Sequence, residues 1–374
     1  MSEFARGLEG VVVASTSISK VDGERGALIY RGIDIHDLAA SSTFEEVVFL
    51  LWHGNLPRHQ ELVDFAAGLA EERRVPAEVL DLVRRVPRDA DPMATLRTAA
   101  SLLSAWDPDA EDTGADANRR KARRLTAGMA TLVAAIGRAR EGQPPVAPDP
   151  SLSHAANFLY MLQGKRPDAV AERTFDQALV LHADHGFNAS TFAARVTTST
   201  FSDMHSAVVS AIGTLKGPLH GGANTRVMQM LLDVEASGKS PEDWVREALE
   251  AKQRVMGFGH RVYKVEDPRA VHLRRACKDL GASQGDLKWY RLSQAIEKIM
   301  ADTKGMYPNV DFYSASTYWM LGIPMQLYTP IFALSRVSGW TAHVMEQAQD
   351  NRLIRPRSDY VGKREVTYTP LESR

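Results

Sequence analysis

Ser42-Thr43-Phe44-Glu45-Glu46-Val47-Val48-Phe49-Leu50-Leu51-Trp52-His53-Gly54 reads as a helix from its first cap to its stop. Ser42 with Glu45 three residues on has the form of a capping box, in which side chains satisfy the orphan N–H groups of a first turn. Val47, Val48, Leu50 and Leu51 fall on one face at helical spacing. Gly54 and then Pro57 end the segment. The same grammar recurs along the chain. Leu62, Phe65, Ala66 and Leu69 repeat at helical spacing. Ser240-Pro241-Glu242-Asp243 opens another helix, with Pro at the first helical position and acids in the first turn. Its inward face is Trp244, Val245, Ala248 and Leu249. Strand signals are confined to the N-terminal end: Gly10–Ala14 and Ala27–Tyr30, read as a hairpin around the turn-like Asp22-Gly23. Strands and helices do not alternate, and no Gly-rich strand-to-helix turn occurs, which argues against a doubly wound nucleotide fold or a P-loop. No internal repeat is visible. The expected fold class is all-α, with a minor N-terminal β-hairpin.

The composition narrows the function. A chain of 374 residues is long enough to bury a core without staples, and its 44% hydrophobic and 24% charged content is that of a globular protein. Lys and Arg number 45 against 46 Asp and Glu, so no excess of base suits the chain to nucleic acid. The lone Cys277 supplies no internal disulfide and no cysteine-based metal cluster. The N-terminus lacks the pattern of a secretory signal, and charged residues interrupt every apolar run before it could span a membrane. The expectation is a soluble, cytoplasmic protein with neither nucleic acid nor membrane as partner. The run Arg119-Arg120-Lys121-Ala122-Arg123-Arg124 could form a basic patch. It follows the acidic stretch Asp107 to Asp116, however, and reads more simply as a solvated helix start. Pro144, Pro145, Pro148 and Pro150 form a stiff connection.

Four segments concentrate His, Asp, Arg and Gly beyond what packing requires. In Leu181-His182-Ala183-Asp184-His185-Gly186-Phe187-Asn188, the two histidines three apart would share a face of a helix, either as a hydrogen-bonded core pair or as part of a metal site. A metal site needs a third ligand, and no HExxH pattern is present. In Lys216-Gly217-Pro218-Leu219-His220-Gly221-Gly222-Ala223-Asn224, the glycines place His220 at a helix end or loop where backbone can approach a ligand. It is equally a turn with an incidental histidine. In Gly257-Phe258-Gly259-His260-Arg261-Val262-Tyr263-Lys264, glycines again flank a histidine. Lys252, Arg254, Arg261, Lys264, Arg269, Arg274 and Arg275 make this the most basic window of the chain, suited to phosphate or carboxylate. In Tyr307-Pro308-Asn309-Val310-Asp311-Phe312-Tyr313-Ser314, Asp311 is either a helix N-cap or a carboxylate whose burial would raise its pKa toward that of a usable base. Arg336 and Arg355 add two guanidinium forks.

Taken in this order, LHADH, GPLHGGAN, GFGHRVYK, DPR and PNVDFYS resemble the citrate synthase family, with the likeness running from Tyr30-Arg31-Gly32 to Arg355-Pro356. The length resembles the compact bacterial and archaeal form. The resemblance implies a helical homodimer. Residues 1–222 and 315–374 would form the large domain of each subunit and residues 223–314 a smaller mobile domain. It further implies condensation of acetyl-CoA with oxaloacetate and water to citrate and CoA, the entry step of the tricarboxylic acid cycle. By this resemblance His220 bonds the thioester carbonyl, Asp311 removes the methyl proton and His260 assists the oxaloacetate carbonyl. His185, Arg269 and Arg336 hold the oxaloacetate carboxylates, with Arg355 supplied across the dimer interface. Gln253, Arg254, Val255, Met256 and Gly257 form the loop that contacts coenzyme A. No metal or cofactor is implied, since the CoA thioester is a substrate. One position departs: many members carry Glu after the second histidine of HADH, where this chain has Gly186. The competing expectations are a 2-methylcitrate synthase using propionyl-CoA, a metal-dependent hydrolase built on His182, His185, His205 or His220, and a non-catalytic CoA-binding protein. His182 favours the acetyl-CoA enzyme over the propionyl-CoA one, because propionyl-CoA specialists often carry an aromatic residue there.

Overall fold

The computed structural model describes residues 5–374. Among them, three short strands and sixteen α-helices form the regular structure, so the all-α expectation holds. The strands β1 (Ser19–Asp22), β2 (Ala27–Tyr30) and β3 (Ile33–Asp34) make one antiparallel sheet in that order, with Ser19 opposite Tyr30 and Tyr30 opposite Ile33. The Asp22-Gly23 turn is where the sequence put it, but its first strand is not Gly10–Ala14. Ser19–Asp22 takes that place, and Val11, Val12 and Val13 lie outside regular structure and exposed. A β-branched run favours extended backbone, yet a strand also needs a partner within reach. The four residues Gly23–Gly26 bring Ser19–Asp22, not the earlier run, alongside Ala27–Tyr30. Between β2 and β3, Arg31 and Gly32 both take positive φ (49° and 90°), the signature of a tight two-residue hairpin.

The helices that follow are α1 (Ile35–Ser41), α2 (Phe44–His53), α3 (His59–Glu71), α4 (Ala77–Arg85), α5 (Pro92–Leu102), α6 (Ala115–Arg140), α7 (His154–Gln163) and α8 (Ala169–His182). They continue with α9 (Ala189–Ser199), α10 (Met204–Leu215), α11 (Ala223–Ala236), α12 (Pro241–Glu250), α13 (Pro268–Ser283), α14 (Lys288–Lys304), α15 (Val310–Met320) and α16 (Tyr328–Gln349). Helix α2 starts one residue later than the capping box implied. Thr43 is the cap, accepting from the Glu46 N–H, while Glu45 is buried and accepts the N–H of His154. Its apolar face is as read: Val47, Val48, Leu50 and Leu51 are fully buried. Gly54 closes the helix in the left-handed conformation.

The core is centred on α6 and α16, which pack against each other and are buried along most of their length. Helices α11 to α15 pack among themselves and meet the rest through α8, α1 and α16. Helix α15 continues unbroken across Ser314. The basic run of α6 is neutralised locally: Arg120 forks onto Asp109 at 2.5 and 2.9 Å, and Arg124 reaches Asp107 at 2.5 Å and Asp109 at 2.7 Å. Lys121 bonds the carbonyls of Ala110 and Asp112. The acidic stretch thus folds back onto the helix it precedes, and the patch reading has no free cation cluster to stand on. Among the described residues, no helix is long and apolar enough to cross a membrane.

Candidate active site

Helix α8 ends at His182, and a turn carries the chain to Asn188, which caps α9. His182 and His185 are therefore not on one helix face, contrary to their spacing. The His182 ring is buried, with Nδ1 bonded to the Ala178 carbonyl at 2.7 Å and the edge of the ring against Phe332. His185 sits beyond the helix end, half-buried, with Nε2 paired to the Tyr263 hydroxyl at 3.1 Å. The turn itself is fixed by buried Asp184, which accepts from Ser19 Oγ and from the Gly186 N–H and lies against His343 at 3.3 Å. Gly186 has φ +58°, which a glycine adopts without strain.

His220 lies in the loop between α10 and α11, and the first turn of α9 holds its ring. The Asn188 side chain caps the helix, leaving the Ser190 N–H pointing outward, and that group donates to His220 Nε2 at 3.2 Å. Ser190 Oγ lies 2.9 Å from the same nitrogen and accepts from Trp340 Nε1 at 3.1 Å. A nitrogen that accepts carries no proton, so neutral His220 bears its hydrogen on Nδ1. Burial and then the charge of Arg336 pull its pKa down to about 4, which keeps it neutral. The loop is held close by Gly221, where a Cβ would stand 2.4 Å from the Leu215 carbonyl oxygen. His220 is thus a loop residue with dedicated partners, not an incidental one.

His260 is fixed by the same logic in mirror form. Its Nδ1 accepts the N–H groups of Val262 (3.0 Å) and Tyr263 (3.1 Å), so the proton of the neutral ring is on Nε2. Burial and then Arg269 lower its pKa to about 4. The Gly257-Phe258-Gly259 segment is laced to the strand-like approach to α15. The Asn309 N–H donates to the Gly257 carbonyl at 2.9 Å, the Gly259 N–H to the Tyr307 carbonyl at 3.3 Å, and the Asn309 side chain to the Gly259 carbonyl at 2.9 Å. Gly257 has φ +85° and would drive a Cβ to 2.7 Å from the Phe312 ring, so glycine is required there twice over.

That lacing brings Asp311 to the site. The N-cap of α15 is Asn309, which accepts the Asp311 N–H at 3.0 Å, so Asp311 is freed from capping. Among the described residues, no group donates to its carboxylate. Burial raises its pKa to about 6, against the lowering pull of Arg269.

Two arginines complete the arrangement. Arg269, 2% exposed, is gripped by Asp267 through Nε at 2.9 Å and Nη2 at 2.7 Å; Asp267 also accepts the Val310 N–H at the head of α15. Arg336, 1% exposed, donates Nε to the His182 carbonyl at 2.6 Å, stacks on Phe332 and leaves Nη2 buried without a partner. Burial pulls its pKa down to about 10. The charge of Arg336 acts on His182, His185, His220 and Asp311, and that of Arg269 on His185, His260 and Asp311, which places these groups in one electrostatic neighbourhood. The two halves meet where the His185 ring lies edge-on to His260, with centroids 5.4 Å apart.

The basic window is thinner than its sequence count. Arg269 is paired with Asp267, Arg274 with Glu266 and Glu297, and Arg275 with Asp279. Lys252, Arg254, Arg261 and Lys264 remain exposed. Gln253 and Arg254 lie exposed at the end of α12, with Val255 and Gly257 buried below them and Met256 half-buried. Arg355 is exposed in the segment that follows α16, and among the described residues it bonds no group of its own chain. No group of three His, Cys, Asp or Glu gathers among the described residues, so the hydrolase alternative lacks a ligand set.

Sequence reasoning missed the supporting residues: Asn188 and Ser190, Asp267, Tyr263, Asp184 and His343. Two of these carried a usable signal. Asn188 before an apolar run is an N-cap, and Asp267-Pro268 repeats the Ser240-Pro241 pattern of cap and first helical proline.

The family model for citrate synthase, C-terminal domain, matches residues 7–357. A citrate synthase of Haloferax volcanii is 55% identical, the match covering 100% of this chain and 99% of that protein. A 2-methylcitrate synthase of Mycobacterium tuberculosis (strain H37Rv) is 46% identical over 96% of this chain and 91% of its own. The citrate synthase of Thermoplasma acidophilum, solved as a ternary complex with carboxymethyl coenzyme A and oxaloacetate, superposes with a TM-score of 0.92. That match has 34% identity and covers 100% of both chains.

Proposed function

The chain belongs to the citrate synthase family, and from that premise we propose that it condenses acetyl-CoA with oxaloacetate and water, releasing citrate and CoA. The observation that carries the reading is the pairing of two neutral histidines, each locked by backbone N–H groups into a proton-donating tautomer, with an unpartnered carboxylate of raised pKa. A thioester methyl is too weak an acid for a carboxylate alone. Asp311 takes the methyl proton while His220 Nδ1–H donates to the thioester oxygen on which charge develops. The nucleophilic carbon so formed attacks the ketone carbon of oxaloacetate, and His260 Nε2–H polarises the ketone oxygen. Water then cleaves the citryl thioester, and the sulfur leaves as CoA thiol. Arg269, Arg336 and His185 hold the oxaloacetate carboxylates; the buried, unpartnered Nη2 of Arg336 is a donor in want of an anion. Lys252 and Arg254, at the start of the Gln253–Gly257 loop, and Arg261 and Lys264, further along the chain, are exposed and suit the phosphates of coenzyme A.

Helices α11 to α14 and the first turn of α15 would form the smaller domain over 223–314; that α11 to α15 pack among themselves supports this reading. Arg355 would complete the neighbouring subunit's site in a homodimer. Support comes from its exposure and from the apolar residues Tyr360, Val361, Val366 and Tyr368, which are also exposed in the chain that follows it.

The direct test is thiol release from acetyl-CoA with and without oxaloacetate: release dependent on oxaloacetate is expected, and release that ignores it would refute the reaction. Propionyl-CoA is expected to give the lower kcat/KM of the two acyl donors. His182 stands where propionyl-CoA specialists often carry an aromatic residue, and a reversed preference would reassign the substrate to the 2-methylcitrate reaction. The pH profile follows from the same groups. His220 and His260 stay neutral above about pH 4, so one acid limb is expected, bending near pH 6 as Asp311 ionises. A kcat/KM for acetyl-CoA still flat below pH 5 would place the base elsewhere.

A further inference from the structure

The N-terminal hairpin touches both histidine loops of the site. At one end of β1, Ser19 Oγ bonds the Asp184 carboxylate and accepts the Gly186 N–H at 3.0 Å, and Val21 packs on Gly186 one residue beyond His185. At the other end, the β1–β2 turn lies against the segment that follows His260. The Lys264 N–H donates to the Gly23 carbonyl at 2.9 Å. A Cβ on Gly23 would stand 2.1 Å from the Val262 carbonyl oxygen, a backbone atom that cannot swing aside. A Cβ on Gly26 would stand 2.7 Å from the Val265 side chain and 3.0 Å from the Glu266 carbonyl oxygen. The turn is stiffened from within, since the Asp22 carboxylate accepts the Arg25 N–H at 3.1 Å. Val262 and Tyr263 are the two residues whose N–H groups set the His260 tautomer, and Tyr263 also holds His185.

We propose that the β1–β2 turn is a docking block that sets the position of the His260 loop against the His185 loop, with Gly23 as a positioning residue. This rests on the role given to His260 above. Gly23 does not have positive φ, so alanine suits its backbone, and any effect of Gly23→Ala must come through the contact with Val262.

The expected result for Gly23→Ala is a kcat lower by about 10–100-fold, since a misplacement near 1 Å costs on the order of 10²-fold. KM for oxaloacetate should rise less than kcat falls, because Arg336 keeps its place, and the melting temperature should change little, because the core is untouched. Glu24→Ala, in the same turn but exposed, should match wild type. Trypsin should cut after Arg261 and Lys264 faster in Gly23→Ala than in wild type with oxaloacetate present. In the wild-type protein itself, hydrogen exchange over residues 260–266 should slow when oxaloacetate binds. A wild-type kcat in folded Gly23→Ala, or free exchange of that segment with oxaloacetate bound, would overturn the proposal. The exchange result decides the matter if Gly23→Ala does not fold. Should wild type release no thiol at all, the reaction reading fails, and exchange and proteolysis alone judge the docking.

Discussion

Asp311→Asn is expected to lower kcat by about 10³-fold, within the range of a lost general base, while leaving the fold intact. Asparagine keeps the volume and one acceptor oxygen, and no described group donates to the Asp311 carboxylate, so no bond is broken. The effect on stability has the opposite sign to the effect on rate. Burial raises the folded pKa to about 6, above the roughly 3.9 of an unfolded aspartate, so ionised Asp311 opposes folding. Stability from this group is present below the unfolded pKa and is lost as pH rises through about 6. Asp311→Asn should therefore melt no lower than wild type at pH 8, and any advantage should shrink as pH falls toward 4. Loss of fold, or kcat within a few-fold of wild type, would contradict the assignment of the base.

Arg336→Leu is expected to raise KM for oxaloacetate by about 10²-fold or more, since each hydrogen bond to a charged group contributes about 1.5–3 kcal/mol and the fork can supply two. Leucine fills much of the buried space beside Phe332 and removes a guanidinium that burial already disfavours, as its lowered pKa near 10 records. Asp184, the carboxylate whose charge acts most on Arg336, keeps Ser19, Gly186 and His343 as partners. The folded state should therefore hold, because replacing a buried charge by an apolar group is often neutral. Steady-state kinetics in oxaloacetate with a parallel melt separate the outcomes. An unchanged KM would mean that the carboxylate is held elsewhere.

The chemistry-bearing side chains were legible because they break the rules of packing. His220 and His260 sit among glycines, and Asp311 sits among aromatics where a carboxylate has no structural use except as a cap. What held them in place was not legible. The groups that fix both imidazole tautomers are backbone N–H donors of Ser190, Val262 and Tyr263, and every residue type but proline supplies one. Their direction depends on where a helix begins or a loop turns. The His182–His185 spacing misled for the same reason: three residues apart implies one face only while the helix lasts, and α8 stops at His182. In the fold, helix faces were readable and ends less so, as the one-residue shift from Ser42 to Thr43 at α2 illustrates. The first strand was misplaced because Val11-Val12-Val13 has the stronger local preference. Pairing instead selected Ser19–Asp22, whose residues reach β2 through a four-residue turn and also touch the His185 loop.

Neutral histidines leave the charge of the proposed site to Arg336, to Asp311 and to Arg269 with its partner Asp267, joined in the proposed homodimer by Arg355, and this bears on how product departs. In the proposed reaction oxaloacetate enters as a dianion and is met by Arg269 and Arg336. Hydrolysis of the thioester then creates a third carboxylate where the acetyl group lay, beside Asp311, with no cation added to receive it. Like charges a few ångströms apart in a half-buried site repel strongly. The last chemical step of the proposed reaction thus adds a negative charge that the substrates did not carry, and that added charge favours release of the product.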